Sequence, residues 1–323
     1  MHRIGLTQEL IVFIVAILLF IYFSVALDGF LSPDNILNLI RNVAMLGMLS
    51  LGMAVVVIGR GVDLSLVAVM AVSLTLSIVL ANKGYAFPTA LAVGLVFAIA
   101  VAMVMGFLIA YVEIPAIFAT LAVSAIVYGL GRGVIASLDV NNIPDNLHWF
   151  LFLGRGVVLG IPMPIWLFAI CSAALYLFLR RTGLGRFIYA IGDNISTARI
   201  TGIPVRPIIV LQYVISSVMA FLAGCATAAS VASMNMRMVN STLIYDVLLV
   251  VILGGIGLTG GRGGVRNILV GTVLIGLLLN GMTILNISYT VQNLLKSTVL
   301  LFALVADAFL NPRDEQTSQQ GDI

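Results

Sequence analysis

Ten apolar runs, at 10–27, 43–58, 64–81, 88–110, 115–136, 165–179, 208–230, 244–257, 268–286 and 292–310, follow one another along the chain. About 20 apolar residues in a helix cross the hydrocarbon of a bilayer. A chain of 323 residues that is 61% hydrophobic and only 9% charged cannot cover itself with a water-facing surface, since soluble domains carry about 25% charged residues. The runs therefore predict an all-α membrane protein of about ten transmembrane helices. Several runs have only 14–17 residues, and short or glycine-interrupted segments often mark broken helices inside a bundle. Residues 1–311 are expected to form one transmembrane domain, and the polar end 312–323 a disordered tail. The first run follows His2 and Arg3 but is long enough to span and leads straight into further spans, so it reads as an uncleaved helix.

Basic residues orient the bundle. With the N-terminus inside, Arg3, Arg60, Arg180, Arg181, Arg186, Arg199, Arg206, Arg262, Arg266 and Arg313 face the cytoplasm, ten of the sixteen Lys and Arg residues. The outer segments hold Arg41, Lys83, Arg155 and Arg237 together with Asp28, Asp34, Asp139, Asp145 and Asp246. Both termini are then cytoplasmic. Two long connections remain: an outer loop at 137–164, and an inner loop at 180–207 with five arginines against one aspartate. A net charge of +3 implies no nucleic-acid partner. The outer surface of such a chain is covered by membrane lipid. Cys171 and Cys225 both lie in apolar runs and read as small core residues.

Between two of the runs stands "GRGVDLS" at 59–65. Gly59 and Gly61 permit a turn, Asp63 and Ser65 can cap the next helix, and Arg60 can pair with Asp63 or reach the phosphate layer. The stretch reads as an inner-surface turn, or as a re-entrant break packed near a pathway or dimer contact, since backbone breaks at membrane depth need protein or water around them. A third reading makes Asp63 a titrating site of an ion-coupled secondary transporter. "VVVIGRGVDLS" at 55–65 is echoed by "VVILGGIGLT" at 250–259, so the helix is expected to stop and restart at two equivalent places, the second marked by Gly254, Gly255, Gly260 and Gly261.

No catalytic set emerges. "GIGLTG" at 255–260 satisfies G-x-G-x-x-G but lacks a strand before it and an acid about 20 residues on. No phosphate-binding G-x-x-x-x-G-K-[ST] occurs, no metal-ligating cluster stands out, and no cofactor is expected. The apolar runs hold few acids: Asp63, Glu113, Asp246 and Asp307 fall near run ends. Proton-coupled pumps carry intramembrane ionisable groups, so energy is expected from a partner. Ser124, Tyr128, Gln212, Tyr213, Ser216, Ser217, Asn280 and Asn293 lie within runs and serve interhelical hydrogen bonds or line a solute path. Of these, Ser124, Tyr128, Gln212, Tyr213 and Asn280 are the candidate pathway residues. Hydroxyls and amides without charge suit a neutral polar solute.

The inner loop also carries "TGLGRFIYAIGDNISTARITGI" at 182–203. It resembles the coupling segment of permease subunits in the ribose/galactose-type branch of ABC importers, through Thr182, Gly185, Arg186, Tyr189, Ala190, Gly192, Asn194, Ala198, Arg199, Gly202 and Ile203. "GRGVDLS" resembles that family's GGIDLS, "EIPAIFATLA" at 113–122 its P-A-F-I-x-T-L-G, and "LGGIGLTGGRG" at 253–263 its glycine-rich motif. The chain departs where Ile195-Ser196-Thr197 replaces the common Glu-Ala-Ala, where Arg60 replaces glycine, and where Ile256 and Gly257 replace Thr and Ser. The resemblance implies a type II importer-like bundle, a second permease chain, two ATPase subunits on the cytoplasmic face and a periplasmic binding protein that delivers a sugar-like solute. It also implies a short helix at about 194–203 that sits on the ATPase. In that segment Gly183, Gly185 and Gly192 are expected at sharp turns, Arg199 at the interface beside Thr197 and Ala198, and Gly202 at the helix end before Pro204. The outer loop 137–164 would meet the binding protein, and the chain itself would catalyse nothing.

Overall fold

The computed structural model describes residues 8–144 and 146–310. The tail 312–323, Asp145, and the terminal His2, Arg3 and Arg313 lie outside the described residues. The chain runs through α1 (Gln8–Ala26), α2 (Pro33–Ile58), α3 (Leu66–Asn82), α4 (Phe87–Ala110) and α5 (Ala116–Leu130), the last extended by a π-helical turn at Gly131–Ile135. Then come β1 (Val140–Asn142), α6 (His148–Arg155), β2 (Val157–Val158), β3 (Ile161–Pro162) and α7 (Met163–Arg181). The remainder is α8 (Gly183–Asp193), α9 (Ile195–Ile200), α10 (Val205–Val231), β4 (Ser233–Asn235), a short 3-10 turn, α11 (Leu243–Leu253), α12 (Val265–Ile284) and α13 (Tyr289–Leu310).

Each of the ten apolar runs lies on its own helix. Among the described residues, seven helices are long and apolar enough to cross a membrane, and three shorter apolar helices, Leu66–Asn82, Leu243–Leu253 and Tyr289–Val305, complete the set. At about 1.5 Å per residue, the 11 residues of α11 reach only about halfway across the hydrocarbon. The all-α membrane fold is as expected.

The boundaries needed correction at α2. The apolar run begins at 43, but the helix begins at Pro33, with Ser32 as its cap and proline in the first turn. Asn35, Asn38 and Asn42 recur at helical spacing and so share one face, which lets an amide-bearing segment continue the helix. Arg41 and Asp246, expected in outer segments, lie inside α2 and α11. The loop 137–164 is also partly regular: it holds β1, α6 and the β2–β3 hairpin. The loop 180–207 is mostly helix, as α8 and α9.

The centre is α2, α3 and α10. Ala44 and every residue from Leu46 to Ile58 on α2 are buried, where packing on α10, α12, α7 and α11 surrounds that helix. Small residues allow close approach, as in membrane bundles generally: Gly52 of α2 lies against the backbone of Ser216 on α10. By contrast α1 stands at the periphery, with Leu18 and Tyr22 more than half exposed. At one end of the bundle β1 pairs antiparallel with β4, and Asp139 takes ion pairs from Arg132 (2.8 Å) and Arg237 (2.7 Å). This is the loop end. The opposite, arginine-rich end carries α8 and α9.

Candidate functional site

The echo in the sequence is a structural equivalence. Helix α2 ends with Arg60 at φ 69°, its N–H donating to the Val57 carbonyl and that of Gly61 to the Val56 carbonyl. Helix α11 ends with Gly255 at φ 94°, its N–H donating to Ile252 and that of Ile256 to Val251. Both are Schellman caps, in which one left-handed residue lets two backbone amides fold back onto the last turn. Such a cap satisfies the end of a helix internally, which a break inside a membrane bundle requires. Arg60 holds the left-handed position that glycine adopts without strain.

The two caps meet. The Gly261 N–H donates to the carbonyl of Ile58 (2.8 Å), the last residue of α2. Gly192 of α8 is wedged between that same carbonyl and Gly261, leaving no room for a Cβ. The Tyr189 hydroxyl, three residues earlier on α8, donates to the Gly263 carbonyl at 2.8 Å. Burial pushes the Tyr189 phenol up, with Arg180 pulling the other way, so it remains a neutral donor. Three glycine-bearing segments, 59–61, 192 and 260–261, thus form one junction at the arginine-rich end.

Next to the junction the break turns inward. Asp63 and Ser65 are fully buried. Asp63 accepts from the Ser65 N–H (3.0 Å), the Ser65 hydroxyl (2.6 Å) and, across the fold, the Ser216 hydroxyl of α10 (2.7 Å). The carboxylate is therefore an Asx-type cap at the start of α3 and a tie to α10. Ser65 itself makes no capping bond with its side chain. Of the readings the sequence allowed, the geometry corresponds to the packed break rather than to a surface turn.

The segment expected to couple to a partner is helical. The Asn194 side chain caps α9 by accepting from the Thr197 N–H (2.8 Å), Ala198 is buried, and α9 ends before Gly202 at φ 83°. Thr197 and Arg199 are exposed, and Ile200 is 87% exposed, a large apolar side chain beyond the bundle. Gly183, Gly185 and Gly192, expected at sharp turns, instead lie within helix α8. Gly185 is there for close approach to Leu179, and Gly192 for the junction. Arg186 also lies on α8 and is exposed.

Two polar cavities open along the centre, and among the described residues none lines both. One, of about 430 Å³, lies at the arginine-rich end under Gly59, Arg60 and Gly61, with Glu113, Arg199, Arg206, Gln212 and Tyr213 in its walls. Gln212 Nε2 and the Tyr213 hydroxyl are buried there without a hydrogen-bond partner. The other, of about 590 Å³, is walled by α2, α10, α11 and α12 and carries Asn35, Asn38, Asn42, Thr227, Ser230, Asp246 and Asn280. Along α10 the cavities are separated by residues 214–226, about 20 Å of helix, and Ser216 with Asp63 lies in that interval. Of the five candidate pathway residues, Gln212 and Tyr213 line the first cavity and Asn280 the second. Ser124 and Tyr128, half-buried on α5, line neither. Ser217 is buried with its hydroxyl unpaired, and Asn293 accepts from the Thr242 hydroxyl (3.0 Å).

Sequence reading missed Lys296. Its ammonium lies 2.8 Å from Asp246 and also donates to Thr242 (3.2 Å), joining α13 to α11. Both side chains of the pair are about nine-tenths buried. The signal was a lone lysine inside the run 292–310, which in a membrane chain marks a paired or functional position.

A family model described as the branched-chain amino acid transport system / permease component matches residues 35–304. Among curated proteins, the ribose import permease protein RbsC of Haemophilus influenzae is 32% identical over 267 residues, 80% of each chain. The galactofuranose transporter permease protein YtfT of Escherichia coli is 33% identical over 237 residues, 73% of this chain and 68% of that one. The L-arabinose ABC transporter permease protein AraH of Azospirillum brasilense is 30% identical over 257 residues, 80% and 75% respectively. No solved structure matches.

Proposed function

The chain belongs to the family of branched-chain amino acid transport system permease components, and from that premise we propose that it is the membrane-spanning subunit of an ATP-driven importer for a sugar or similar neutral polar solute. Family membership displaces the ion-coupled alternative. The relatives at 30–33% identity are named for ribose, galactofuranose and arabinose. Chemistry favours a sugar over an amino acid as well. Asp246, the one charged residue lining the larger cavity among the described residues, is neutralised by Lys296, so no free pair of charges waits there for an α-carboxylate and an ammonium.

The observation that carries the mechanism is the junction of Ile58, Gly192 and Gly261. A partner pressing on α9 moves α8, and α8 is packed directly onto the capped end of α2 and onto the loop at 261–263 that follows α11. Those helices wall the larger cavity. ATP binding and hydrolysis in partner subunits would so be converted into a shift of cavity walls, the alternating access of a permease pair. The coupling residues are Asn194, Thr197, Ala198, Arg199 and Gly202, with Gly183, Gly185, Arg186 and Gly192 holding α8. Exposed Arg199 and Ile200 supply a charge and an apolar anchor for the ATPase. The arginine-rich end is cytoplasmic by the positive-inside rule, in a bacterial inner membrane. The loop end then receives the binding protein, and a second permease copy or a sister permease completes the pathway.

The test is purification in mild detergent of this chain expressed with its native neighbours, with the co-purified proteins identified by mass spectrometry. A stoichiometric ATPase is expected. A chain that purifies alone and transports in vesicles without ATP would overturn the reading.

A further inference from the structure

We infer that the larger cavity is a solute-binding subsite of this chain, built for a neutral polyhydroxylated molecule and read chiefly by the amide stripe of α2. The inference rests on the proposed importer function and specifies where in the chain the solute is held.

Three amides, Asn35, Asn38 and Asn42, recur at spacings of three and four and so line one face of α2 toward the cavity. They differ in state. Asn35 is committed to Asn280 of α12: each amide nitrogen donates to the other's oxygen, at 3.1 and 2.8 Å. That reciprocal pair staples the two walls. Asn38 and Asn42 are exposed to the cavity, and among the described residues neither makes a hydrogen bond. Each offers two donors and an acceptor. On the facing wall, the hydroxyls of Thr227 and Ser230 donate back to the α10 carbonyls of Ala223 and Ala226 (both 2.8 Å), so their lone pairs remain as acceptors.

The inventory is one of neutral groups that donate and accept, which is what a hydroxyl needs, since it does both. Among the described residues lining the cavity, Asp246 is the one that carries a charge and it is held by Lys296, so a solute with a net charge would find no counter-charge there. Apolar walls at Leu46, Leu49 and Leu279 suit the C–H faces of a sugar ring. The volume of about 590 Å³ is in the range of small-molecule sites, about 300–1,000 Å³.

The test uses the full transporter in liposomes, this chain with its ATPase and binding protein, and a panel of neutral pentoses, hexoses and polyols. With the sugar that the wild type transports, Asn38→Ala combined with Asn42→Ala should lower the uptake rate by about tenfold or more, two lost hydrogen bonds. ATPase co-purification and melting temperature should stay as in the wild type, because both side chains are exposed and unbonded. As a second readout, Asn42→Cys should be labelled from the loop end by a membrane-impermeant thiosulfonate, and saturating sugar should slow labelling at least threefold. The native Cys171 and Cys225 are buried and give a low background. Wild-type uptake in the double variant, with labelling unchanged by sugar, would overturn the subsite and leave the importer standing. Failure of the wild-type complex to transport any of the panel would overturn the importer reading and the subsite with it.

Discussion

The Ser216 hydroxyl donates to Asp63 Oδ2 across 2.7 Å, tying the break between α2 and α3 to the middle of α10. A carboxylate with no exposed surface is held by three donors, two of them from Ser65. Residues on either side of this tie along α10 open into different cavities.

Removing the donor leaves a buried acceptor short. Ser216→Ala should destabilise the protein by about 1.5–3 kcal/mol, as for a hydrogen bond to a charged group, read as a lower melting temperature in detergent. Asp63→Asn should impair assembly without shifting the pH profile of transport. A shifted profile with intact assembly would return Asp63 to an ion-coupling role.

The Asp246–Lys296 pair should behave as buried pairs do. Lys296→Met alone leaves an uncompensated carboxylate and should cost about 3–5 kcal/mol. Combining it with Asp246→Leu should restore most of that loss. A double-mutant cycle by thermal unfolding measures the coupling.

Gly192→Ala places a methyl group against the Ile58 carbonyl and Gly261. Overpacking of this kind costs about 1–3 kcal/mol. Because the junction carries the proposed coupling, uptake should fall while the ATPase still co-purifies. Loss of the ATPase instead would place Gly192 in docking rather than in transmission.

The two Schellman caps predict opposite signs. Arg60→Gly relieves a left-handed residue and should raise stability by up to about 1 kcal/mol. Gly255→Ala introduces one and should lower it by about as much. Matching signs in the two melting curves would show that the caps are not equivalent.

On the exposed helix, Arg199→Glu and Gly202→Glu should each reduce ATPase retention by about tenfold or more, as for a central interface residue. Gly202 combines a new charge with a φ of 83° that other residues rarely adopt. Retention at the wild-type level in both variants would remove α9 from the coupling role.

The sequence by itself determined the class of fold and the number of apolar helices. Those follow from the match between run length and bilayer thickness, which needs no partner segment. It also announced both helix breaks, because a glycine between β-branched runs is a local signal; the short helix before Gly202 came from the resemblance of 182–203 to a coupling segment, with its stop at Gly202 a local signal. It misplaced the start of α2 because apolar character was taken as the mark of helix, while Asn35, Asn38 and Asn42 line a cavity that only α10, α11 and α12 create. It overlooked Lys296, whose meaning lies in Asp246, 50 residues away. Only the tertiary structure decided that Ser124 and Tyr128 line neither cavity, that Gly192 fills a junction rather than a turn, and that Asp63 is a buried tie. Each of these depends on which backbone or side chain arrives from a distant segment, and periodicity along one helix carries no record of that.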